Sequence, residues 1–255
     1  MSEPALIVVP DVASAGRAAA ELIPDLFSRA DAARGRVDFA TTGGSTPAAI
    51  YHALAAPPLR DRVPWEHLQV WWGDDRFVPR EHELSNVKPL DDALLRDGAA
   101  PLPAANLHPF PVARTLAIGE DEAWCAAELA SELRAAPLAT DQGWPVFDLV
   151  MVGVGPDGHI LSVFPGSAAF DASGWAIAVP APRHIEPQVP RVTLNPGIVT
   201  VAREVLVVAT GAAKADVVRD VLTGEIDVSR LPAQLARRDR ATWILDEAAA
   251  SRLAR

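Results

Sequence analysis

Residues 147–159, FDLVMVGVGPDGH, start as an apolar run and end in a polar turn closed by a histidine. Leu149 to Val152 carry no polar residue, the pattern of a strand covered on both faces, as in parallel sheets. Five more segments read the same way: ALIVVP from residue 5, VDFATTG from 37, LQVWWGD from 68, EVLVVATG from 204 and ATWILD from 241. Each is short, rich in β-branched or aromatic residues, and bounded by Gly, Pro or Asp. Between them, residues 14–35, 45–54, 85–98, 120–136 and 212–224 space their apolar residues by three and four, which predicts helices. Such alternation predicts an α/β fold, a parallel sheet flanked by helices on both faces. In that architecture ligands bind beyond the carboxyl ends of the strands. Candidate site residues are therefore sought in TTGGSTP, GDDRFVP, GVGPDGH and ATGAAK. The Pro-rich stretches 101–111 and 180–190 are expected to be surface loops framing a site.

The rest of the chain bounds the function. Its 255 residues suffice for one continuous domain spanning 1–255. A net charge of −10 argues against nucleic-acid binding, so an anionic ligand needs a local positive pocket. No apolar run is long enough to span a bilayer, and the opening MSEPALIVVP lacks the basic flank of a signal peptide, so a cytoplasmic location without membrane association is expected. The single cysteine, Cys125, lies at a helical core spacing and is read as packing. Trp71 and Trp72 are expected in the core, on opposite faces of their strand.

Four segments could carry chemistry. In TTGGSTP, Gly43 and Gly44 lead into a helix that Ser45 or Thr46 could cap, with Pro47 in its first turn. Amide groups at a helix start carry partial positive charge and suit a phosphate; a plain tight turn is the other reading. Asp74, Asp75 and Arg76 could orient a hydroxylated substrate or meet developing negative charge, or simply pair with one another. Asp157 and His159 should emerge at the top of a central strand. There a neutral imidazole can take a proton from water, with Asp157 orienting the ring or touching substrate. The residues alone favour a structural histidine, and no second His or Cys at ligand spacing suggests a metal. Arg191 and Lys214 add positive charge, Lys214 in a first helical turn where a cation implies an anionic partner.

In this order, TTGGSTP, WWGDDRFVP with SN at 85 and 86, FDLVMVGVGPDGH with SVFPG, PRVTLN and ATGAAK, the chain resembles the 6-phosphogluconolactonases over about residues 5 to 245. The resemblance implies a Rossmann-like fold related to glucosamine-6-phosphate deaminase and ribose-5-phosphate isomerase. It implies hydrolysis of 6-phosphogluconolactone to 6-phosphogluconate, the second step of the oxidative pentose phosphate pathway, with no cofactor and no metal. It makes His159 the general base for water and gives Arg76 the charge on the lactone or the orientation of that water. Gly43, Gly44, Ser45, Thr46, Arg191 and Lys214 would hold the phosphate, while Asp74 and Asp157 would position hydroxyls or catalytic groups. The chain departs from the common pattern at Asp75, where a glutamate is usual, and at Ile160, where a threonine is usual.

A sugar-phosphate isomerase or deaminase on the same scaffold is the alternative. The deaminases carry a glutamate where this chain has Phe164 and a tyrosine where it has Arg76, and a phenylalanine cannot relay a proton. A non-catalytic sugar-phosphate sensor is the third reading; it would need a DNA-binding module, and the first strand already begins near residue 5. The expected partner is a small sugar phosphate, and the expected assembly a monomer or homodimer.

Overall fold

The computed structural model describes residues 3–254. In chain order the strands and α-helices are β1 (Ala5–Val9), α1 (Val12–Arg34), β2 (Val37–Thr41), α2 (Ser45–Leu54), β3 (Leu68–Trp72), β4 (Asp74–Arg76), α3 (Lys88–Leu90), β5 (Leu107–His108), α4 (Val112–Ile118), α5 (Glu122–Ala135), β6 (Thr140–Asp141), β7 (Trp144–Pro145), β8 (Leu149–Val152), β9 (Ala176–Val179), β10 (Arg191–Leu194), α6 (Gly197–Val201), β11 (Glu204–Ala209), α7 (Ala215–Thr223) and β12 (Ala241–Asp246). Seven strands form one sheet in the order β1-β12-β11-β8-β2-β3-β5, every pair parallel. All residues of β2 and β8 are buried, so both faces of the sheet centre are covered, as the unbroken apolar character of β8 requires. Helices α1 and α2 pack on each other, and α1 also lies on β11 and β12.

The order of strands locates the ligand cleft. From β2 the chain moves outward through β3 to β5, returns to β8 beside β2, and moves the other way through β11 and β12. The loops after β2 and β8 therefore leave in opposite directions and open a crevice at the carboxyl ends of these two strands.

A second, smaller sheet roofs that end. Immediately after β3, Gly73 turns the chain into β4, which pairs antiparallel with β10, and β10 pairs antiparallel with β9. A side chain on Gly73 would meet Leu161 Cδ2 at 2.6 Å and the Thr41 carbonyl oxygen at 3.3 Å, so a larger residue there would have to displace Leu161.

Three expectations need correction. The stretch 101–111 is not a plain surface loop: Leu102 and Phe110 are buried, and Leu107–His108 adds the seventh strand. Its pairing with β3 is reinforced by His108, which stacks on Trp71 with centroids 4.0 Å apart. The helix expected over 85–98 begins at Lys88, widens over Asp91–Leu95 and breaks at Asp97, whose φ is 57°. Finally, Ser45 and Thr46 do not cap α2; Gly44 occupies the cap position and no side chain bonds the first amides.

Other expectations hold. Cys125 is fully buried, and burial pushes its thiol up to about 11, which makes it inert at neutral pH. Trp71 and Trp72 are both fully buried, their indole N–H groups donating to Asp38 Oδ1 (3.1 Å) and the Asn86 carbonyl (3.0 Å).

Candidate active site

The β2–α2 turn forms one wall of the crevice. Gly44 has φ 105° and ψ −180°, a region open to glycine, and it starts α2 without a side-chain cap. The first amides of a ten-residue helix are thereby left facing the cleft with their partial positive charge. Gly43 serves a different purpose, since a Cβ there would overlap Asn86 Oδ1 at 2.2 Å and only a bare residue admits the neighbouring loop. Tyr51 fixes the turn from below, donating to the Thr42 carbonyl and sharing a hydrogen bond with Thr41 Oγ1, both 2.6 Å.

The turn after β8 builds the histidine. Gly158 N–H donates to the Gly155 carbonyl (3.1 Å) and Gly155 N–H to the His159 carbonyl (2.8 Å), folding the chain back so that the imidazole lies against Gly155. Asp157 Oδ1 stands 2.5 Å from His159 Nδ1 and also accepts the His159 backbone N–H at 3.2 Å. An ionised carboxylate only accepts, so Nδ1 carries a proton and, in the neutral ring, Nε2 is the atom with the lone pair. His159 lines the cleft with its ring held by Asp157, an arrangement suited to accepting a proton. Burial alone would raise the Asp157 carboxyl, but the bond and charge of His159, with a further bond from His184, hold it well below the usual carboxylate range.

The roof supplies cations. In the β4–β10 pair Arg76 lies directly opposite Arg191, so the two guanidinium groups are cross-strand neighbours on the cleft. Burial and the Arg76 charge both lower the Arg191 pKa, while the Asp74 and Asp157 charges work in the opposite direction. Among the described residues, Arg76 Nε and Arg191 Nε are buried with no hydrogen-bond partner, an arrangement suited to an anionic ligand. Lys214, at the start of α7, lines the cleft on both the α2 side and the histidine side. Burial lowers its pKa, and the Asp157 charge works in the opposite direction.

The two carboxylates beside Arg76 do different things. Asp74 lines the cleft, its oxygens accepting from Ser162 Oγ at 2.6 Å and Asn86 Nδ2 at 3.1 Å. Asp75 points away: its Oδ1 accepts the backbone N–H groups of Arg76 (2.8 Å) and Asn86 (2.7 Å), bracing the loop. Burial, reinforced by Asp74 next to it, pushes the Asp75 carboxyl up to about 7.

All the expected site residues thus meet around one crevice. Gly43, Gly44, Ser45, Thr46 and Lys214 lie on its α2 side; Asp74, Arg76, His159 and Arg191 lie on the other, with Asp157 directly behind His159. The sequence reading missed Ser162, Gly155 and His184. A buried serine and a bare glycine beside DGH were visible signals for the first two. No group of three or more His, Cys, Asp or Glu side chains among the described residues is arranged to hold a metal.

Residues 10–244 match the family described as glucosamine-6-phosphate isomerases/6-phosphogluconolactonase. The chain belongs to this family. Within it, the chain is 34% identical to 6-phosphogluconolactonase of Streptomyces coelicolor, over 99% of this chain and 95% of that protein. Among solved structures it is similar to 6-phosphogluconolactonase from Trypanosoma cruzi, with a TM-score of 0.85, 28% identity, and 100% and 99% of the two chains covered. A monomeric glucosamine-6-phosphate deaminase shares the fold, at 14% identity and a TM-score of 0.75 over 97% of this chain and 99% of that one. The expected Rossmann-like α/β class and the family resemblance are both borne out.

Proposed function

We propose that this protein is a 6-phosphogluconolactonase, a single-domain hydrolase that opens 6-phospho-D-glucono-1,5-lactone to 6-phospho-D-gluconate in the cytoplasm. The observation that carries the reading is the Asp157–His159 couple, with His159 on a cleft also lined by Arg76 and Arg191, whose buried Nε atoms have no hydrogen-bond partner.

In this reading the phosphate binds to the amides of Gly44, Ser45 and Thr46 and to Lys214 and Arg191. Binding energy at that remote end orients the lactone ring. His159 Nε2 takes a proton from water as the water oxygen attacks C1, and Arg76 stabilises the charge that develops on the carbonyl oxygen. Collapse breaks the bond from C1 to the ring oxygen. The proton held by His159 passes to that oxygen, giving a hydroxyl, and the new carboxylic acid ionises to solvent. Asp157 stabilises the transient imidazolium, and Asp74 accepts from a sugar hydroxyl. A δ-lactone is an activated ester, so positioning and one base suffice, with general-base assistance worth about 10²–10⁴-fold.

Ring-opening deaminase chemistry needs an acid–base group where this chain has Phe164. Here the phenyl ring packs against His159, centroids 4.7 Å apart, and has no proton to relay. Incubation with freshly generated 6-phosphogluconolactone, followed by NMR, should show ring opening well above the spontaneous rate, and glucosamine 6-phosphate should release no ammonia. The reverse outcome would reject the lactonase reading in favour of the deaminase. No helix among the described residues is long and apolar enough to cross a membrane.

A further inference from the structure

Asp157 receives two imidazoles, not one. While Oδ1 binds His159, Oδ2 stands 2.9 Å from Nε2 of His184, in the 180–190 segment between β9 and β10. The carboxylate can only accept, so His184 Nε2 donates. Phe164 is wedged between the two rings, 4.7 Å from His159 and 5.5 Å edge-on to His184, and the Arg191 guanidinium lies 5.4 Å over its face. The same segment brings Ile185 and Glu186 to the cleft wall, and the Pro187 carbonyl accepts from Arg191 at 3.0 Å.

We propose that His184 is a positioning residue for the lactone hydrolysis read above: by donating to Asp157 Oδ2 it withdraws charge from the carboxylate that orients His159. The inference rests on that reading of His159 as the base. The trio is a chain and not a metal cage, because each histidine spends a nitrogen on a different oxygen of one carboxylate. A surface His–Asp pair is usually worth little. This one differs because the Asp157 side chain is only 20% exposed, against 53% for His184, so the effect of the outer ring reaches the inner one through a shielded carboxylate. Lys214 and Arg191 also feel the Asp157 charge, and Asp74, Arg76 and Glu186 share the cleft wall with His159. These groups are all retained when only His184 is changed.

Removing the His184 donor leaves more negative charge on Asp157, which favours the protonated form of His159. The acid limb of the pH profile of kcat/KM must therefore move to higher pH in His184→Ala. The strength of one hydrogen bond corresponds to a move of about half to one pH unit, so kcat on the acid limb falls roughly fivefold while its high-pH plateau is kept, with KM nearly unchanged. His184→Gln, whose amide can still donate to Oδ2, should recover most of both. NMR titration of the His159 ring in the same variants reads the coupling independently of turnover and should show the same upward displacement. An unmoved His159 titration in His184→Ala overturns the proposal, as does a loss confined to KM, which would assign His184 to cleft shape alone. If the titration moves but the wild type opens no lactone, the coupling stands and the lactonase reading is what fails.

Discussion

An alanine at position 155 would place its methyl carbon 1.9 Å from Nδ1 of His159. Gly155 has no positive φ, so the backbone would accept alanine and the imidazole would have to move. Misplacing a catalytic group by about 1 Å can cost about 10²-fold in rate. Gly155→Ala should therefore retain its far-UV circular dichroism and melting temperature to within a few degrees while kcat falls by about that factor. Wild-type turnover in a folded Gly155→Ala would show that the ring need not sit where it does. At this scale the sequence singled out His159, Arg76, Arg191 and Lys214 as candidates by strand-end position or charge, while the role expected of each came from the family resemblance, since alone each read more simply as structure or surface charge. It was silent on His184, because an exposed histidine in a Pro-rich stretch acquires meaning only when the segment folds back onto Asp157.

The antiparallel pair of β4 and β10 is the element that makes two separate arginines into one cationic pole, and Asp75 is its brace. The ordinary carboxyl value is 3.8, whereas the folded value is about 7. Below about pH 4 both folded and unfolded chains hold this proton. As pH rises toward 7 the unfolded chain releases it while the native chain keeps it, so this contribution to stability declines and is lost once pH passes 7. Asp75→Asn keeps an oxygen for the two backbone N–H groups and removes the titration. Thermal unfolding should find the variant gaining on the wild type between pH 5 and pH 8, and a constant gap would contradict the buried, proton-retaining carboxyl. Six of the seven parallel strands were legible because each is a four- to six-residue apolar run between turn residues. The seventh has two residues among prolines, and β4 is a three-residue strand whose partner β10 lies far along the chain, so pairing rather than local pattern defines them.

For the whole molecule, the reversal in the direction of the connections between β2 and β8, parallel neighbours in the sheet, brings the Gly43–Thr46 turn and the DGH turn to one crevice although more than a hundred residues separate them. In that crevice a substrate anchored by its phosphate would be attacked by water that His159 deprotonates. Stopped-flow measurement of ring opening, with freshly generated 6-phosphogluconolactone and excess wild-type or His159→Ala protein, addresses it most directly. The wild type should open the lactone rapidly, the variant should lose about 10²–10⁴-fold, and both should still bind 6-phosphogluconate. Opening by His159→Ala at the wild-type rate would contradict this role for His159.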